Sequence, residues 1–135
     1  MKKVLFVVFV LAVLVLAACG GGSGSSDVVV TLAPVPADFA GKTNPLGADA
    51  ATAGAEVFKT NCAACHGDTG LGDGPAGAAL DPAPKNLADL QAQAGDDYLF
   101  WRITTGKEGT SMVPWKGILT EEQIWQVVAF LRTLK

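Results

Sequence analysis

The only histidine of this chain directly follows a cysteine pair, in the run Cys62-Ala63-Ala64-Cys65-His66. Residue types at this spacing serve four chemistries. A structural zinc site takes four ligands, usually Cys or His, and the one other cysteine, Cys19, lies far away in an unrelated kind of sequence. A thioredoxin-like redox pair requires a strand-to-helix setting, and no alternating strand pattern is present. A disulfide across two intervening residues would close a very short loop and contribute little stability. The fourth chemistry is covalent haem attachment, for which C-x-x-C-H is the signature. Two thiols three residues apart reach both vinyl groups of one macrocycle, and His66 then falls under the iron as the proximal ligand. The expectation is one haem c, joined through Cys62 and Cys65 and ligated by His66.

A low-spin haem iron takes a second axial ligand, commonly His or Met. With His66 the only histidine, a bis-histidine iron cannot form within this chain. Besides Met1 there is one methionine, Met112. A lone Met usually fills core space, inside an apolar periodic segment. Met112 instead follows Gly106, Gly109 and Ser111, with Pro114 behind it. That is a loop built to aim one thioether, so Met112 is expected as the distal ligand. A saturated iron suits outer-sphere electron transfer. The alternative is a haem enzyme or gas-binding sensor with an open iron position, but no distal base remains for peroxidase-type chemistry.

These ligands need helices to hold them. Residues 49–61 read as a helix ending at the motif, with Asp49 at or near the N-cap and Ala53, Val57 and Phe58 on one side. Residues 96–105 read as a second, with acids at its start and Gly106 as its stop. Thr120 and Gln123 form a capping box, with Leu119 and Ile124 as the staple. Ile124, Val127, Val128 and Leu131 then recur at helical spacing. Glu121 and Glu122 in its first turn and Arg132 and Lys135 near its end suit the helix dipole. A shorter helix near residues 87–93 fits the pattern, and the Gly/Pro-rich stretch between it and the cysteine motif reads as irregular loop. The fold class is all-α. A helical core of this size is thin, which makes the haem a structural staple as well.

The start of the chain has a different character. Lys2 and Lys3 precede an unbroken apolar run over residues 4–17, shorter than the roughly 20 residues that span a bilayer. That pattern reads as a signal peptide, with a short uncleaved membrane helix as the alternative. "LAAC", ending at Cys19, resembles the lipobox of bacterial lipoproteins, which implies cleavage before Cys19, acylation of its thiol and acylation of the new amino terminus. Two or more acyl chains suffice for stable anchoring. Residues 20–26 have flexible-linker composition. Pro34, Pro36 and Pro45 should keep the following segment extended, either as a disordered tether throughout or with residues 36–46 strapped to the domain through Phe39. The division is a signal peptide over residues 1–18, a lipidated tether over 19–48 and a domain over 49–135. The protein is expected outside the cytoplasm, on the periplasmic side of a membrane. Cleavage removes two lysines from a chain of formal charge −3, leaving it more acidic, which argues against nucleic acid as a partner.

Residues 54–135 resemble a class I cytochrome c, with the haem motif near the start and the Met loop before the last helix. "NPLGADAATAGAEVFKTNCAACHGDTGLGDGP" and "MVPWKGILTEEQIWQVVAFLR" are similar to the lipid-anchored monohaem cytochromes of bacterial respiratory complexes. The resemblance implies a one-electron carrier that exchanges electrons with a quinol-oxidising complex, such as alternative complex III, or with a haem-copper terminal oxidase. It implies close packing of Gly54 and Phe58 against Val127 and Phe130. It also implies a loop Pro carbonyl, from Pro82 or Pro84 and less readily Pro75, accepting the proximal His N–H. Trp101, Trp115 or Tyr98 would meet a haem propionate. The family usually has Pro directly after its ligand Met; here Val113 intervenes before Pro114.

Overall fold

A computed structural model describes residues 31–135. The expected signal peptide, Cys19 and the linker up to residue 30 lie outside the described residues. Among the described residues five α-helices follow one another: α1 Ala50–Asn61, α2 Ala63–His66, α3 Leu87–Gln93, α4 Asp96–Thr105 and α5 Glu121–Leu131, with a short 3-10 turn at Gly77–Ala79. Among the described residues there is no strand, only an isolated bridge between Lys116 and Leu119.

Helix α5 forms as its sequence dictates. The Thr120 side chain accepts from the Gln123 N–H and the Gln123 side chain accepts from the Thr120 N–H, completing the capping box. Ile124, Trp125, Val127, Val128 and Leu131 are buried on one side. Helix α4 starts at Asp96 and stops at Gly106, whose φ of 70° is easy only for glycine. Helix α3 is capped by Asn86, whose side chain accepts from the Ala88 and Asp89 N–H groups. Helix α1 has Asp49 at its N-cap, as expected, but the side chain makes no cap bond. The N–H groups of Ala50, Ala51 and Thr52 donate instead to the carbonyls of Gly47, Ala48 and Asp49, so a preceding turn opens the helix.

The largest helix interface is α1 across α5. Gly54 makes it possible: a Cβ there would overlap the Gln126 carbonyl and approach Phe130 Cβ to 3.1 Å. One turn further, Phe58 packs on Phe130 with ring centroids 5.0 Å apart. Gly54 therefore meets the backbone at Gln126 and the base of Phe130, while Val127 is buried at 1% exposure. The inner face of α1 is Gly54 and Phe58 with Val57 partly covered; Ala53, expected on that face, is exposed. Helix α4 lies against the other side of α5, with Phe100 stacked on Trp125 at 4.0 Å.

Arg132 does more than suit the end of α5. Its guanidinium pairs with Asp96 at 2.7 Å and donates to the carbonyls of Gln91 and Ala94. One side chain so ties the end of α3 and the start of α4 to α5. Residues 37–41 turn rather than extend, with the Phe39 and Ala40 N–H groups donating to the Pro36 carbonyl.

Candidate functional site

The frame of α1, α5 and α4 carries the short helix α2 and the loop before α5, and the residues singled out for chemistry sit there. Cys62 closes α1: its N–H donates to the Phe58 carbonyl at 2.7 Å. Its own carbonyl accepts from the Cys65 and His66 N–H groups at 3.1 and 2.9 Å. Cys62, Cys65 and His66 thus share one helical turn, with both thiols free and half-buried. The loop after them folds back closely over this turn. The Ala76 N–H donates to the Ala64 carbonyl and the Gly74 N–H to the Cys65 carbonyl. A Cβ on Gly74 or Gly77 would collide with backbone of residues 63–65, which is why "GDGPAG" carries glycine there.

Burial pushes the Cys62 thiol up to about 12, and the neighbouring Cys65 adds to it. A thiol held protonated is a weak nucleophile, so Cys62 is not poised as a thiolate. Burial holds the His66 imidazole below its usual value, opposed in part by the Lys85 carbonyl. The ring is therefore neutral near pH 7, the form that ligates a metal. His66 Nδ1 lies 3.4 Å from the Lys85 carbonyl, long for a full hydrogen bond but aligned to fix the tautomer and leave Nε2 as ligand. The acceptor is thus Lys85, not Pro82, Pro84 or Pro75. Pro84 acts one residue earlier: its carbonyl and that of Lys85 close over Gly72, whose φ is 86°.

Met112 is half-buried in the loop between α4 and α5. The Lys107 N–H donates to the Met112 carbonyl at 3.0 Å and the Thr110 hydroxyl to the Lys107 carbonyl at 2.7 Å. Thr110 Oγ1 accepts from the Met112 N–H at 3.2 Å. Beyond the methionine, the Trp115 and Lys116 N–H groups donate to the Ile103 and Thr104 carbonyls, both at 3.1 Å. These are end carbonyls of α4 left without helical partners. Gly106 lets the loop lie this close, since a Cβ there would come within 2.5 Å of the Met112 carbonyl. Val113, at the position after Met112, is 54% exposed.

Of the aromatics expected near a propionate, Trp115 is half-buried against the core. Tyr98 and Trp101 form an edge-on pair at 5.6 Å. Arg102 completes that pair: its guanidinium lies 3.8 Å above the Trp101 ring, and its Nε–H donates to the Tyr98 hydroxyl at 3.3 Å. The sequence reading missed Arg102. Its i, i+4 relation to Tyr98 was the available signal. Cys19 lies outside the described residues.

The donor set fits a covalently held haem: two free thiols on one turn, a neutral imidazole oriented from behind, and a thioether on a pinned loop. Among the described residues no cluster of three or more His, Cys, Asp or Glu could hold a bare metal ion.

Comparison with known proteins agrees with a cytochrome c-like chain. The family described as cytochrome C oxidase, cbb3-type, subunit III, matches residues 49–131. The cbb3-type cytochrome c oxidase subunit FixP of Bradyrhizobium sp. (strain ORS 278) is 34% identical over 108 residues, covering 78% of this chain and 34% of that protein. The chain thus spans about a third of the length of the oxidase subunits it matches. Cytochrome c6 of Thermosynechococcus vestitus is 35% identical over 86 residues, covering 64% of this chain and 70% of that protein. Among solved structures, a chain of the Kuenenia stuttgartiensis reducing HAO-like protein complex Kustc0457/Kustc0458 aligns with a TM-score of 0.58 at 24% identity, over 67% of this chain and 47% of that one. This last likeness concerns the fold alone.

Proposed function

We propose that this chain, which belongs to the cytochrome c family of electron-transfer proteins, is a lipid-anchored carrier of single electrons between respiratory-chain components, with one haem c held by Cys62 and Cys65 and ligated by His66 and Met112. Bound haem c supplies one reversible electron at its iron. The chain's own residues do the rest. Cys62 and Cys65 fix the macrocycle to the end of α1. His66 presents Nε2 while the Lys85 carbonyl holds its other nitrogen. Met112 would be the second ligand to the iron, which would exclude substrates and gases and leave outer-sphere transfer. Met/His ligation raises the reduction potential.

The observations that support this reading are His66 on the turn of Cys62 and Cys65 with its Nδ1 facing the Lys85 carbonyl, and a Met112 loop bonded within itself and, past Met112, to the end of α4. The signal peptide at 1–18, the tether at 19–48, the domain at 49–135 and the lipid on Cys19 belong to the same proposal, as does an extracytoplasmic location. Among the described residues no helix is long and apolar enough to cross a membrane. Its partners would be a quinol-oxidising complex or a terminal oxidase, and the oxidase subunits among the relatives support the second.

Met112→Ala tests the ligand set. The oxidised wild type should show the far-red sulfur-to-iron charge-transfer band; the variant should lose it, bind cyanide or imidazole, and have a lower midpoint potential. A band that persists in Met112→Ala removes Met112 from the iron, and the open-iron enzyme or gas sensor becomes the better reading.

A further inference from the structure

The segment before the first helix is bonded to the domain more thoroughly than a spacer requires. Leu32, Val35, Phe39 and Leu46 are partly buried against the core. Phe39 lies on Phe100, centroids 6.2 Å apart, and so extends the Phe100–Trp125 stack by one ring. Asn44 makes three hydrogen bonds. Its N–H donates to Asp96, its amide nitrogen donates to the Trp125 carbonyl at 2.9 Å, and its side-chain oxygen accepts from the Leu46 N–H. The Gly41 N–H donates to Asp97 at 2.9 Å. Bonds to ionised carboxylates are the stronger kind, and Asp96 is itself held by Arg132. Ordering this stretch costs about 1–2 kcal/mol per residue in backbone entropy, so apolar anchors and paired donors are needed to keep it down. None of these contacts involves the cysteine motif or the Met112 loop.

We propose that residues 32–46 are a docked strap that shortens the free tether between the Cys19 anchor and the domain, holding the haem site close to the membrane. This rests on the lipid-anchor reading above. Undocked, the tether would be about 30 residues; docked, about 12 remain between Cys19 and the strap. Effective concentration near the anchor falls roughly as the −3/2 power of linker length, so docking raises it about fourfold.

The test uses the full, lipidated, haem-loaded protein on phosphatidylcholine vesicles that carry a blue-emitting headgroup dye, whose emission the haem quenches at short range. Phe39→Ala with Asn44→Ala should leave vesicle binding and the visible spectrum intact and speed amide exchange at Gly41 and Asn44. It should weaken quenching to the extent of about a fourfold lower local concentration. A second variant keeps the strap and inserts Gly-Ser sequence after Ser26, until the free length equals that of residues 19–48. It should weaken quenching equally with the Gly41 and Asn44 amides still protected. Unchanged quenching in either variant overturns the proposal, and so do unprotected Gly41 and Asn44 amides in the wild type. Wild-type protein that floats free of the vesicles refutes the lipid anchor and the strap's role with it, a result distinct from bound protein with unaltered quenching.

Discussion

Gly54→Ala separates two opposing effects on α1. In an exposed helix the change would stabilise by about 1 kcal/mol through helix propensity. At Gly54 the new methyl would overlap the Gln126 carbonyl, which is helix backbone and cannot swing away. The α1–α5 crossing must open by roughly 1 Å, and a gap of that order forfeits a quarter to a half of each dispersion contact. Phe58, Phe130 and their neighbours stand to lose about 3 kcal/mol between them, at about 1.5–3 kcal/mol for burial of each large side chain. With the propensity gain subtracted, the net loss is about 2 kcal/mol, within the usual range for overpacking. Thermal unfolding of the haem-loaded protein, followed by far-ultraviolet circular dichroism, should show a midpoint lower by about 10 °C. Ala53→Gly at the exposed neighbouring position is the control and should cost about 1 kcal/mol from propensity alone. If Gly54→Ala is as stable as the wild type or more so, the close crossing is not what Gly54 provides.

Cys62→Ala with Cys65→Ala should give a chain that does not hold haem and is largely unfolded; a cooperative thermal transition like that of the haem-loaded protein would contradict it. Cys19→Ser should move the protein from the membrane to the soluble fraction or leave an uncleaved precursor, read by fatty-acid labelling; a correctly cleaved variant that stays membrane-bound with undiminished label would contradict it. Burial raises the Asp96 carboxyl, but the Asn44 N–H together with the hydrogen bond and charge of Arg132 outweighs this and holds it below its usual value. Its stabilising contribution is therefore complete above the unfolded carboxylate range near 4 and is lost as pH falls through the lower folded value. Asp96→Asn should be less stable than wild type at pH 7 by urea titration, and the difference should shrink below about pH 4; a constant difference down to pH 2 would refute the linkage.

Much of the frame was legible because its signals are local. The capping box at Thr120 and Gln123, the acids of α4 and its stop at Gly106 each involve residues a turn or less apart, and the helices begin and end accordingly. Cys62, Cys65 and His66 were legible for the same reason, because one helical turn gathers them. What was missed depends on backbone groups or on long separations. Any residue can offer a carbonyl, so nothing in the sequence distinguishes Lys85 from Pro84 as the group behind His66. Asn44 meets the Trp125 carbonyl across 81 positions, a distance no local pattern encodes. Asp49 has the right residue type for a cap, but the turn at 47–49 already satisfies the N–H groups it would have served. Arg132 looked like a complement to its own helix dipole, and its pairing with Asp96 depends on how α4 lies against α5.

The loop around Met112 is closed on itself. The Ile103 and Thr104 carbonyls hold it on one side, and the Lys107 N–H and Thr110 hydroxyl hold it on the other. With Met112 as the proposed ligand, a backbone held in such a ring would move little when the iron changes charge by one. The nuclear rearrangement that accompanies each change of oxidation state would then be small, and so would the reorganisation energy that slows tunnelling. A single bond of that ring, such as Thr110 to Lys107, would bear on how fast an electron can leave.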